Sequence, residues 1–83
     1  MDLIELGMHI KQTRKNKRLS QTDLAKLAEV SRARLEALEN GRISEIGSKS
    51  LLRILNALGL DLRLTELNLN RPTLEDLIAE QAP

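Results

Sequence analysis

The sequence predicts an all-α domain of four to five short helices, completed by a short C-terminal β-strand that pairs across a homodimer. Three observations carry that expectation. Apolar residues recur at three- and four-residue spacing in successive short runs. Stop and start signals bound the runs: Ser20 with Asp23, then Ser31, Asn40-Gly41, Gly47-Ser48 and Gly59. After Gly59 the period changes, and Leu60, Leu62 and Leu64 alternate with Asp61, Arg63 and Thr65, the mark of a half-buried strand.

Taken in order, Leu3, Leu6 and Ile10, continued by Thr13, outline a helix from Leu3 to about Lys17, with Gly7 weakening it by roughly 1 kcal/mol relative to alanine. Asn16-Lys17-Arg18 closes it. Ser20 and Asp23 form a capping box for a two-turn helix whose buried stripe is expected at Leu24, Leu27 and Ala28. Ser31 caps the next helix, with Leu35 and Leu38 inward, and Asn40-Gly41 ends it because both residues tolerate a left-handed backbone. A loop over 43–47 leads to a fourth helix carrying Leu51, Leu52, Ile54, Leu55 and Leu58. Thr73 and Asp76 are spaced as another capping box before Leu74, Leu77 and Ile78, an apolar stripe that packs either on its own domain or on another protein. The expected division is a helical domain over 1–60, a dimerisation strand over 61–70 and an amphipathic tail over 71–83.

Composition narrows the function. A chain of 83 residues buries a limited core, and the absence of cysteine removes disulfides and thiolate metal sites. One histidine, His9, builds neither a metal nor a catalytic cluster, so no cofactor or enzyme activity is expected. Oligomerisation is the remaining staple, and an unpaired strand asks for the same thing: a twofold partner. There is no aromatic residue, hence no platform for stacking the bases of single strands. No run is apolar enough to span a membrane, and a cytoplasmic location is expected. Residues 11–42 hold nine Lys/Arg against four Asp/Glu, whereas 61–83 hold two against five. A basic first half and an acidic tail suggest two different partners, against the plain alternative of uneven scatter.

Ser20 to Arg42, SQTDLAKLAEVSRARLEALENGR, is the informative stretch. Two short helices joined by a tight turn, the second opening on Arg32 and Arg34, are the parts of a helix-turn-helix. The major groove of duplex DNA is about 12 Å wide and admits one helix. That helix enters by its first turn, where arginines oppose the helix dipole but suit guanine edges or phosphates. The competing reading of Arg32 and Arg34 is a solvated helix face. Lys11, Lys15, Lys17, Arg18 and Lys49 are further phosphate candidates, of which a minority is expected to matter.

This stretch resembles the XRE/Cro/lambda-repressor family of helix-turn-helix domains, through Leu-Ser-Gln-x-x-Leu-Ala, then Val-Ser, then Leu-Glu-Asn-Gly, over about residues 6 to 58. The resemblance implies a lambda-repressor-like fold. It implies that Gln21 touches a phosphate and braces the reading side chains, and that Ser31, Arg32, Ala33, Arg34 and Ala37 face the major groove. Asn40 and Arg42 match the family's phosphate-contacting loop, and Arg14 and Glu39 a structural pair joining the first and third helices. Ala33 and Ala37 either meet thymine methyls or let the helix approach closely. The family often has glycine where this chain has Arg18 and Glu29, so left-handed turns there would cost on the order of 1 kcal/mol each.

A second resemblance, carried by Leu-Gly-Leu-Asp-Leu-Arg-Leu after the fourth helix, is to HipB-type antitoxins, whose strands pair between subunits. The resulting expectation is a dimeric repressor of an inverted-repeat operator in double-stranded DNA. Within that class it would be the antitoxin of a type II pair, binding a HipA-like kinase toxin through its tail. The alternatives are a stand-alone phage-type or restriction–modification controller, and an interaction adaptor that no longer binds DNA.

Overall fold

A computed structural model describes residues 1–67, and over them the chain forms four helices: α1 Leu3–Asn16, α2 Gln21–Ala28, α3 Arg32–Glu39 and α4 Ser48–Ala57. The tail with Leu74, Leu77 and Ile78 lies outside the described residues.

Local chemistry sets where each helix begins. Asp2 accepts the Glu5 N–H at 2.8 Å, and Ser31 accepts the Arg34 N–H at 3.1 Å. Ser20 accepts the Asp23 N–H at 2.9 Å while Asp23 accepts the Ser20 N–H at 3.4 Å, a complete capping box. Each bond satisfies a backbone donor that the first turn would otherwise leave without a partner. Gly47 opens α4 with no side-chain cap.

All four helices end in the same closure. Leu19 donates to Arg14 O, Val30 to Ala25 O, Arg42 to Ala37 O and Leu60 to Leu55 O, at 2.8–3.1 Å. The residue before each donor adopts a left-handed backbone: Arg18 and Glu29 at φ +59°, Gly41 at +71° and Gly59 at +74°. This is the Schellman arrangement, and it brings the donor residue back over the helix it terminates. Leu19, Val30 and Leu60 accordingly pack on the core. Arg42, at the equivalent place after α3, does not.

The core is wholly aliphatic: Ile10, Leu24, Ala25, Ala28, Leu35, Leu38, Ile54, Leu55 and Leu58 are buried together. Burying one such leucine or isoleucine side chain stabilises the fold by roughly 1.5–3 kcal/mol. Helix α1 packs on α3, and α2 packs on both α3 and α4. Gly7 permits the first of these contacts. A methyl group there would overlap the Leu38 carbonyl oxygen, so the glycine that weakens α1 locally is what lets α3 approach it.

One expectation is corrected, and one needs a second copy of the chain. Leu27 is 62% exposed, and Ala25 takes its place inside. The buried stripe of α2 runs through Leu24, Ala25 and Ala28, one residue round the helix from the predicted one. Residues 60–67 form no strand in the single chain. Leu60 packs on its own core, while Leu62, Leu64 and Leu67 are exposed, Leu64 at 94%. The physical reason is that a lone extended segment has no neighbouring strand to receive its backbone hydrogen bonds.

Candidate nucleic-acid interface

Helix α3 divides cleanly. Leu35, Leu38 and Glu39 are buried, and Ser31, Arg32, Ala33 and Arg34 are exposed. At about 100° per residue, the exposed Ala33 lies in the middle of the outward strip, with the half-buried Ala37 one turn further along it. Arg32 lies on one flank with Glu36, and Arg34 lies on the other. Neither arginine makes an ion pair among the described residues. Ser31 holds the first turn through its cap to Arg34, so the backbone that carries both guanidinium groups outward is fixed.

Behind the strip stands a buried ion pair. Arg14 donates from Nε to Glu39 Oε2 at 2.7 Å and from Nη2 to Oε1 at 3.0 Å, and its Nη1 donates to Leu19 O at 2.7 Å. Gln21 Nε2 donates to the same Glu39 Oε1 at 3.0 Å. One carboxylate thereby ties α1, the first residue of α2 and the end of α3 together. Gln21 is half-buried and braces α3 from behind through Glu39, with one amide hydrogen engaged there.

Past the end of α3 a second network lies at the surface. Asn40 Nδ2 donates to Glu36 O and to Glu36 Oε2, each at 3.0 Å, and Asn40 Oδ1 accepts from Lys11 Nζ at 3.1 Å. Arg42 pairs with Glu36 Oε1. The Arg42 hydrogen bond holds the Glu36 carboxyl below the usual 4.5 against the opposing effect of desolvation, helped by the Arg42 charge, by Asn40 and by Arg32 one turn earlier. The same bond raises Arg42 above its ordinary value. Asn40 and Arg42, both expected at phosphates, are therefore drawn together on one acid. Lys49 is exposed in the first turn of α4 and makes none of these hydrogen bonds or ion pairs.

Sequence reasoning missed Glu36 as a member of the site. Its spacing of four from Asn40 on a helix was the available signal. Lys11 was named only among many lysines, and nothing local in the sequence joins it to Asn40 across 29 positions.

No helix among the described residues is long and apolar enough to cross a membrane. Residues 5–67 match a family described as "Helix-turn-helix domain". The chain is also similar to the "ImmF control region 10 kDa protein" of Bacillus phage phi105, with 40% identity over 67 residues, covering 81% of this chain and 73% of that protein. The family match runs from within α1 through α4 and takes in the turn between α2 and α3, and the chain belongs to the helix-turn-helix domain family, in its XRE-like form.

Proposed function

We propose that the chain is a sequence-specific regulator that binds double-stranded DNA by setting α3 in the major groove. One observation carries this reading: α3 is pinned from behind by the Arg14–Glu39 pair while its outward strip is uncovered, narrow and basic. Ala33 and Ala37 keep the middle of the strip low, so the backbone can come close to base edges. Arg32 and Arg34 flank it, and a bidentate arginine–guanine contact is worth about 1–3 kcal/mol of discrimination. Gln21, Arg42 and Lys49 are assigned to positioning on the backbone, where contacts fix register without reading sequence.

The regulator acts as a homodimer on an inverted repeat with half-sites about 34 Å apart. The exposed Leu62 and Leu64 support this, since a second copy would cover them and supply the missing strand for the segment from Leu60. Of the regulator readings, the phage-type controller is favoured, because the similar phage protein is named for a control region. The antitoxin reading, with a HipA-like toxin and the stripe Leu74, Leu77 and Ile78 as its docking element, draws no support from the name of that phage protein. Pull-down from the native host with and without residues 71–83 separates the two: toxin capture that depends on the tail would restore the antitoxin.

The primary test is selection of duplexes from a randomised pool, followed by affinity measurement at moderate salt. A selected sequence that binds no better than random duplex ends the reading. Arg32→Ala with Arg34→Ala abolishes selective binding while helix content and dimer mass stay unchanged. Unaltered binding by that variant would support the adaptor instead.

A further inference from the structure

We propose that Lys11 and Arg42 form a paired phosphate-binding station on the duplex backbone, and that Asn40 and Glu36 position the two cations without touching DNA. The inference rests on the duplex-binding reading above.

The argument is a count of donors. Asn40 gives both hydrogens of its amide to Glu36, one to the carbonyl and one to Oε2, and its backbone N–H also goes to Glu36 O at 3.1 Å. Its Oδ1 is taken by Lys11. Asn40 therefore has no N–H to offer a phosphate in this arrangement. Its neighbours do. An ammonium has three donors, and Lys11 uses one on Asn40 among the described residues. A guanidinium has five, and Arg42 engages Glu36 through Nη2 alone among the described residues. Arg42 is well exposed, with 59% of its side chain accessible.

The two cations sit at opposite ends of a single hydrogen-bonded chain, Lys11–Asn40–Glu36–Arg42, which links α1 to the turn after α3. Lys11 also shares an open cleft with Lys15, Asn40 and Gly41. Glu39, the acid that lines that cleft, is already neutralised by Arg14. Within the network Glu36 alone stands against Lys11 and Arg42, and Lys15 adds a further positive charge on the cleft, so the region stays attractive to an anion. The network also fixes two long side chains before the duplex arrives, so less side-chain entropy is lost on binding. Arg42 stands where Leu19, Val30 and Leu60 close the other three helices, giving up a core contact and leaving the other donors of its guanidinium for a backbone phosphate.

The test is salt-dependent binding of the full chain to a labelled random-sequence duplex between about 50 and 200 mM salt. Lys11→Ala and Arg42→Ala should each flatten the log–log salt slope by about one. Asn40→Ala removes no charge, yet it should flatten the slope too, and it should add little in a Lys11→Ala/Arg42→Ala background. Circular dichroism of each variant reports folding, and Asn40→Ser, too short to bridge Lys11 and Glu36, serves if the alanine variant loses helix. An Asn40→Ala chain that binds more weakly at every salt with its slope intact would make Asn40 a direct contact and overturn the proposal. So would an unchanged slope for Lys11→Ala. A wild-type chain that binds no duplex overturns the DNA-binding reading itself, and the station with it.

Discussion

Arg14 and Glu39 face each other through two hydrogen bonds in a site nearly closed to water, the arginine 7% exposed and the glutamate 2%. Removing one partner of such a pair leaves an uncompensated buried charge, at about 3–5 kcal/mol. A domain of this size has little more than that in total. Glu39→Gln and Arg14→Ala are each expected to be largely unfolded at 25 °C by circular dichroism. Arg14→Met combined with Glu39→Leu should recover much of the loss, because a hydrophobic pair of similar volume leaves no bare charge. A double variant no more stable than the singles would refute this account.

Gly7→Ala sets two effects against each other. Alanine gains roughly 1 kcal/mol in helix propensity. Against that, its methyl would overlap the Leu38 carbonyl oxygen, which is backbone and cannot swing aside. Overpacking of this kind costs about 1–3 kcal/mol, and here the higher end applies because α1 and α3 must part. Net destabilisation is expected in urea unfolding, with weaker duplex binding as α3 shifts. A stabilised variant would mean that the interhelix spacing is softer than the geometry indicates.

Arg18 and Glu29 hold φ of +59°, where an L side chain costs on the order of 1 kcal/mol. Arg18→Gly should therefore raise the melting temperature, by up to about 4–8 °C per kcal/mol recovered, reduced by the extra freedom glycine has when unfolded. Glu29→Gly gains less, because Glu29 also sits 3.9 Å from Arg53 in an exposed pair worth about 0–1 kcal/mol. Scanning calorimetry orders the two. A drop in melting temperature for Arg18→Gly would contradict the strain argument.

Glu36 should titrate below 4.5 in the folded chain, and its midpoint is readable from side-chain carboxyl shifts by nuclear magnetic resonance. Because the folded value is depressed, the stabilisation from Arg42 and Asn40 is present above the unfolded glutamate range. It is lost as pH falls through the folded midpoint. Duplex binding near neutral pH is thus insensitive to Glu36 titration. A midpoint at or above 4.5 would show that the Arg42 bond does not persist in solution.

How far the sequence went can be judged from particular residues. Ser20, Asp23 and Ser31 announce their helices because caps act within three residues, and Gly41 and Gly59 announce their ends for the same reason. Leu27 misled because two-turn helices are too short for periodicity to fix which edge faces inward. The alternation at Leu60, Leu62 and Leu64 is real, but a strand is a relationship between two segments, and one chain supplies one. Arg14 and Glu39 were reached through resemblance, since nothing local joins residues 25 apart. The Lys11–Asn40 bond was out of reach for the same reason, with no resemblance to help.

The residues that anchor α3 and those it presents outward hardly overlap. Leu35, Leu38 and Glu39 anchor; Arg32, Ala33 and Arg34 present; both demands meet at the half-buried Glu36 and Ala37. Substitutions on the outer strip can therefore accumulate without opposition from stability, so descendants of one frame are able to diverge in target while remaining equally well folded. Transplanting those few outward side chains onto a related frame should carry the target preference with them.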